Sequence, residues 1–400
     1  MKVNEMERRE MEGLISTYRD GLLNDTLPFW ISHAVDREHG GFFTYLDRDG
    51  SVVGTDKPIW IQCRIAWLFS RLYNEVEPNE EWLELSRHAL RFVEEHGFDD
   101  DRRMFFSVTR DGRPLRKRRY LYTESFGAVA FAEYARATGD EQAKERAIGL
   151  YRLILRHHRT PGSLEPKVFP GTRGMKSHGM VMILIYISQI LRLIDPAPIY
   201  DEVIDGSLRE LSEDFVKPKL RAVLETVGEN GEFIDEPMGR VIVPGHAIET
   251  SWLVMEEGRR RGDPGLVSLG AEVLEWSLDA GWDEEFGGIF YYRDVKGHPS
   301  EYYEHDMKLW WPHNEAIYAT LLAHRLTGDA GFAEWHERVH DWAYSHFPDP
   351  EHGEWFGYLH RDGSVSLTWK GNQWKGPFHL PRMQLGCWKL LEERPAGEVG

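Results

Sequence analysis

An (α/α)6 barrel, a closed ring of six helical hairpins with short β-hairpins at one rim, is the fold this sequence predicts. Three observations predict it. One phrase recurs along the chain, its copies fall on a spacing of some sixty residues, and the stretches between them have helical periodicity.

The phrase is DREHGGFFTYLDRDGSV from Asp36, DEEFGGIFYYRDVKG from Asp283 and DPEHGEWFGYLHRDGSV from Asp349, with a weaker copy, DDDRRMFFSVTRDGRP, from Asp99. An acidic start, an aromatic core and an Asp-Gly or Lys-Gly turn read as a short β-hairpin. The Arg-Asp-Gly at Arg48 returns at Arg110, and Gly287 returns at Gly353. Between the hairpins, Trp60, Arg64, Trp67, Leu68 and Arg71 recur at helical spacing, as do Phe126, Val129, Ala130, Glu133 and Tyr134. A sixty-residue unit holds two helices with their connections, and six units fill 400 residues. About twelve main helices follow. An open solenoid of helix pairs would use similar units. Closure is preferred because the hairpins recur on one set of connections and so rim a single mouth. The hairpins at Gly40, Gly287 and Gly353 are expected on that rim.

No linker interrupts the pattern. Residues 1–393 read as one catalytic barrel and 394–400 as a frayed tail. The Pro/Gly-rich piece from Glu165 to Ser177 reads as a loop within the barrel. The apolar stretch Gly179 to Leu193 contains Ser188, Gln189 and Arg192; it is too short for a bilayer and reads as a buried helix.

Composition narrows the function classes. The net charge of −18 argues against nucleic acid as a partner. The one dense basic run, Arg113 to Arg119, follows a turn and reads as a solvated hairpin edge. Two cysteines, Cys63 and Cys387, imply no disulfide framework, are expected buried and structural, and fit a reducing cytoplasm. The charged N-terminus does not read as a signal peptide. Fifteen Trp, sixteen Tyr and nineteen Phe are enough to fill a core and still line a carbohydrate cleft.

Four segments join reactive residues to sharp turns. In PGHAIETSW, His246 and Glu249 stand three apart at a helix start, on one face. KLWWPHNEA opens a helix with Trp310, Trp311 and Glu315. KGPFHLPR sets His379 between two prolines. IWIQCRIAW places Trp60 and Arg64 one helical turn apart. Each also has a plain structural reading: a satisfied polar histidine, core tryptophans, a buried ion pair. Their joint occurrence at helix ends of different repeats favours a site, because in a ring those ends converge on one mouth and present free N–H groups. No third or fourth ligand accompanies His246 and Glu249 at a fitting spacing, so no metal is expected. HExxH and GxSxG motifs are absent. PGTRGMKS, from Pro170, lacks the spacing and context of a P-loop.

In these segments the chain resembles the N-acylglucosamine 2-epimerase family along nearly its whole length. The closest stretches are MKLWWPHNEA, EHGEWFGYLHRDGSVSLTWKG, KGPFHLPR, PGHAIE and HGGFFTYLDRDG. The resemblance implies catalytic histidines at His246 and His379, an essential arginine at Arg64, and acidic partners at Glu249 and Glu315. It implies sugar contacts from Trp60, Tyr122 and Trp311, with His178 and Trp374 assigned to the substrate as well. Related cellobiose epimerases and ketose isomerases carry a further histidine in a mid-chain helix, where Met182 aligns here. Of cofactors, the resemblance implies only ATP or another nucleotide as an activator, on the loop holding Arg173 and Lys176. It also implies a homodimer.

The chemistry suits the residues independently. Epimerisation at C2 of an open-chain aldose removes a proton from one face and returns one to the other, which needs two acid–base groups near neutrality. Arg64 would stabilise the enolate oxygen, and Glu249 and Glu315 would orient the imidazoles. The expected sugar is N-acylglucosamine or N-acylmannosamine, the alternative being a mannose or other aldose–ketose isomerase, or another sugar 2-epimerase, on the same scaffold. An (α/α)6 glycoside hydrolase would instead need two carboxylates across the cleft. A sugar- or protein-binding module would leave C2 unexchanged.

Overall fold

The structure, a computed structural model, describes residues 5–118, 120–160, 162–165, 172 and 174–393. The tail from 394 and Arg173 lie outside the described residues. Six helices form the inner ring: α3 (Ile59–Glu75), α5 (Tyr122–Thr138), α7 (His178–Leu191), α9 (Pro244–Arg261), α11 (Trp310–Thr327) and α13 (His379–Glu392). Outside them pack α4 (Glu80–His96), α6 (Glu141–Arg159), α8 (Ile199–Glu210), α10 (Pro264–Gly281) and α12 (Ala330–His346). The sixth outer position belongs to the chain's start. There α1 (Glu5–Gly21) and the π-helical turn at Leu22–Thr26, which leads into α2 (Leu27–His33), run beside α13. The ring is therefore completed by pairing the two ends of the sequence, and the twelve expected rods are present among the described residues.

Sequence explains which helix faces where. Outer α4 (EEWLELSRHALRFVEEH) buries Trp82, Leu83, Ser86, Ala89, Leu90 and Val93 and leaves its charges in water. Inner α5 and α7 are buried along most of their length. The apolar stretch read as a buried helix is α7. Outer helices α4, α6, α10 and α12 start on Asn79, Asp140, Asp263 and Asp329, each accepting a main-chain N–H. None of the six inner helices has a side-chain cap. The first turns of five of them instead carry a Trp, Tyr or His side chain that faces the mouth, Trp60, Tyr122, His246, Trp311 and His379.

Connections from inner to outer helices are short turns. Those from outer to inner are long and carry the hairpins, so the hairpins share the rim where the inner helices begin. Strand pairs tie neighbouring connections together, as with Lys57–Pro58 against Ser107–Val108 and Lys308–Leu309 against Tyr358–Leu359. A buried charge knot repeats with the hairpins. Asp36 binds Lys57 (2.8 Å) and Arg110 (2.9 Å); Asp283 binds Lys308 (3.0 Å) and Arg361 (2.8 Å); Asp349 binds Lys370 (3.0 Å) and Arg48 (2.7 Å). In each knot the arginine comes from another repeat's Arg-Asp-Gly turn. The Arg48–Asp349 pair joins the first repeat to the last and so stitches the ring shut.

Of the three strong copies, one departs from the Gly-Gly pattern. Gly288 has φ +75°, and the matching Glu354 is held at φ +56°, a left-handed backbone that disfavours a side chain. Its carboxylate is buried on Lys375 Nζ at 2.5 Å. That contact pins the segment carrying Trp374 to Phe378 against the barrel.

Candidate active site

The inner-helix starts enclose a cavity of about 690 Å³. Its upper layer consists of first-turn residues: Trp60 on α3, Tyr122 on α5, His246 on α9, Trp311 on α11 and His379 on α13. One helical turn deeper lie Arg64, Phe126, Met182, Glu249 and Arg382. His246 and His379 stand on either side of α11 and both pack on Trp311, with ring centroids 5.2 and 5.7 Å away.

Each imidazole is anchored through Nδ1. His379 donates to Glu315 Oε1 at 2.7 Å, and His246 donates to Glu225 Oε2 at 2.9 Å. This arrangement leaves both Nε2 atoms free of protein partners among the described residues and available for proton transfer. The surroundings drive the two titrations apart. Burial lowers His379 well below the ordinary histidine range, and the neighbouring Arg382 and Arg64 cations act the same way. Burial would also lower His246, but the Glu225 carboxylate overrides it and the net shift is upward. At neutral pH His379 is therefore a neutral base, and His246 is biased toward its protonated, acidic form.

Arg64 supplies the positive charge. Its guanidinium lies 4.1 Å from the Trp60 ring, 4.0 Å from Phe126 and 4.3 Å from Phe378. No carboxylate pairs with it among the described residues. Burial draws its pKa down to about 9, and it remains a cation at neutral pH. A buried cation caged by aromatic faces has its charge available for an anion formed in the cavity.

Several expectations are corrected. Glu249 does not hold His246; it accepts from Arg382 Nη2 at 2.5 Å, and Glu225 holds the histidine. Glu315 binds His379, Arg382 (2.7 Å) and Trp252 Nε1 (2.8 Å) and stands behind the cavity wall. His178 also lies behind the wall rather than against a substrate. It is buried, bonded to Thr250 Oγ1 at 3.0 Å, and pushed down by burial to about 4, hence neutral. Lys176 is no free phosphate ligand, because Glu210 (3.0 Å) and Asp214 both bind its ammonium. Arg173, its expected partner, is outside the described residues. Trp60, Tyr122, Trp311 and the mouth-facing Trp374 all line the cavity. Cys63 and Cys387 are buried free thiols.

Two site residues were not assigned from sequence. Arg382 lies in the quoted KGPFHLPR, three residues after His379, the spacing that drew attention to His246 and Glu249. Glu225 sits in an unremarkable strand connection, and no motif marks it. Among the described residues, Glu249, Glu315 and His379 are the one grouping close enough for a metal, with ligand atoms within 4.8 Å. The Arg382 guanidinium bonds both carboxylates and supplies the cation there.

Two differently tuned imidazoles beside one unpaired arginine form a proton-transfer site. A hydrolase would need two carboxylates facing each other across the cleft, whereas Glu249 and Glu315 share one nitrogen of Arg382. The N-acylglucosamine 2-epimerase (GlcNAc 2-epimerase) family profile matches residues 41–379. The N-acylglucosamine 2-epimerase of Bos taurus is 36% identical over 385 residues, covering 92% of this chain and 89% of its own. The chain belongs to this family. It is an isomerase acting on sugars. Among solved structures, cellobiose 2-epimerase from Spirochaeta thermophila superposes with a TM-score of 0.84 at 24% identity, covering 97% of this chain and 99% of that one. A D-mannose isomerase gives 0.78 at 16%, covering 98% and 100%. These two likenesses establish the (α/α)6 fold.

Proposed function

We propose that the chain interconverts N-acyl-D-glucosamine and N-acyl-D-mannosamine by moving the proton at C2. The observation that carries the reading is the pair of Nδ1-anchored imidazoles on either side of Trp311, above an unpaired Arg64. In the open-chain sugar the C1 carbonyl acidifies the C2 proton. Nε2 of one histidine takes that proton, and the electron pair moves onto O1 as an enolate. Arg64 stabilises this oxygen by charge. The other histidine returns a proton to the opposite face of C2, and the carbonyl re-forms. Glu315 and Glu225 stabilise whichever imidazole is charged. The cycle is proton transfer alone, so it requires no redox cofactor or metal. We place the enzyme in a reducing cytoplasm, consistent with its two free thiols. A homodimer is the assembly implied by the family resemblance, and sedimentation equilibrium tests it.

Proton NMR of N-acetylmannosamine in heavy water tests the activity. The expected result is N-acetylglucosamine deuterated at C2. A ketose product, or turnover of mannose or cellobiose with none of the N-acetyl sugar, would contradict the assignment.

A further inference from the structure

The dense basic run of the sequence is a solvated hairpin edge only in part. It occupies the strand Pro114–Arg116 and the segment after it, beside the cavity mouth. Arg113 is exposed on Asp111 (3.1 Å), and Lys117 is held by Asp99 (2.7 Å) and Asp101 (2.6 Å). Arg116 and Arg118 alternate with Lys117 and turn the other way. Their guanidiniums lie 6.0 and 4.3 Å from the Phe106 ring, and Arg118 is also 5.3 Å from Tyr120 and from Trp374. All three rings line the cavity. No carboxylate pairs with either arginine among the described residues. Arg118 Nε is buried without a hydrogen-bond partner, and burial, together with the like charge of Arg116, lowers its pKa. Two unpaired cations sharing one ring stand out in a chain of net charge −18. The connection before α11, diametrically opposite in the ring, brings Glu304 to the cavity instead. The mouth is therefore polarised, positive before α5 and negative before α11.

We propose that Arg116 and Arg118 form an anion site at the cavity mouth, which takes a phosphate on C6 of the N-acylhexosamine. The proposal rests on the epimerase reading. With O1 on Arg64, a turn below the mouth, the carbons beyond C2 extend toward the rim. The steps from Arg64 to the Trp60 ring, on to Phe106 and on to Arg118 are 4.1, 5.9 and 4.3 Å, which places the two guanidiniums within about 14 Å of each other. An extended chain advances roughly 1.2 Å per bond, so the eight bonds from O1 to a phosphorus on C6 span about 10 Å. Charge-assisted contacts of about 2.8 Å at either end bring both arginines within reach of one molecule. A guanidinium matches the phosphate oxygens in pairs, and Glu304 repels the same anion from the opposite side.

The test is kcat/KM for C2 deuteration of N-acetylmannosamine and of its 6-phosphate at fixed ionic strength, for the wild type, Arg118→Met and Arg118→Lys. A hydrogen bond to a charged group is worth roughly ten- to a hundredfold. The wild type is therefore expected to favour the 6-phosphate at least tenfold. That ratio should fall at least tenfold in Arg118→Met, which keeps an apolar stem on Phe106 without the charge, and recover in part in Arg118→Lys. Arg116→Met serves as the second variant if Arg118→Met does not fold, with a fall in the same ratio expected. A wild type without preference for the 6-phosphate, or a ratio unchanged in the folded variants, overturns the anion site and leaves the epimerase assignment intact. Inorganic phosphate that speeds exchange of the neutral sugar, with no advantage for the 6-phosphate, would assign the arginines to a free anion and overturn the substrate reading. Exchange of neither sugar would defeat the epimerase assignment and the site's substrate with it.

Discussion

Replacing Glu225 with Gln tests the least expected member of the site. The carboxylate lies 2.9 Å from His246 Nδ1 and is what raises that histidine against the effect of its own burial. A hydrogen bond to a charged group contributes about 1.5–3 kcal/mol, against about 0.5–1.5 for a neutral pair. The difference is roughly 1.4 kcal/mol, or about one pH unit in the pKa of His246. The sign follows from the charge: without the carboxylate, the imidazolium is less stable and the pKa falls. Where His246 must donate its proton, the alkaline limb of the kcat/KM profile should move about one unit to lower pH. At pH 8 the rate should drop about tenfold. The assay is C2 deuteration measured from pH 5 to 9 for wild type, Glu225→Gln and Glu225→Asp, the last retaining the charge. An alkaline limb that stays in place in Glu225→Gln, with rates within twofold of wild type, would refute this account of His246.

Three other perturbations have definite outcomes. Arg64→Met should reduce kcat by about a hundredfold or more through loss of enolate stabilisation, while its urea midpoint stays level or rises because a buried unpaired cation is gone; a variant with near-normal kcat would remove Arg64 from the chemistry. Asp349→Asn should cost about 3 kcal/mol in urea unfolding by leaving Lys370 buried without its carboxylate. Burial opposes ionisation of Asp36, Asp283 and Asp349, but their Arg and Lys partners prevail and hold all three well below the usual carboxylate range. Their stabilisation is therefore complete above about pH 4 and lost as pH falls further, so the cost of Asp349→Asn should stay level down to about pH 4 and shrink below it, and a cost that already fades near pH 6 would contradict the knots' role. Lys176→Ala should leave any change in melting temperature caused by ATP unaltered, since its ammonium is committed to Glu210 and Asp214; loss of that response would restore Lys176 as a phosphate ligand.

Most of the fold was legible because repetition is written into the chain. The hairpin phrase marks the long connections, and the apolar run at Gly179 marks an inner helix. The knots were also present in the text: the Asp that opens each of the three strong phrases and the Arg of an Arg-Asp-Gly turn are two of their parts. What sequence spacing does not show is that each arginine reaches a neighbouring repeat rather than its own. In the site, His246, His379 and Trp311 were found because they begin inner helices, which a ring brings together, and Arg64 because it stands one turn after Trp60. The pairing of acids with histidines was misread for a physical reason. An i, i+3 spacing puts His246 and Glu249 on one face of α9, but that face points down the barrel. Glu249 meets Arg382 a layer below, while Glu225 reaches His246 sideways from the connection before α9. His178 begins an inner helix like the others, yet its ring turns onto Thr250 behind the wall, a side-chain choice that periodicity does not carry.

The central claim is that two histidines serve the two faces of C2. It is tested most directly by deuterium incorporation with His246→Asn and His379→Asn, starting separately from N-acetylmannosamine and N-acetylglucosamine. Each variant should fail to epimerise. Each should still exchange the C2 proton of one epimer only, and the two variants should differ in which epimer that is. Full epimerase activity surviving the loss of either imidazole would contradict the account.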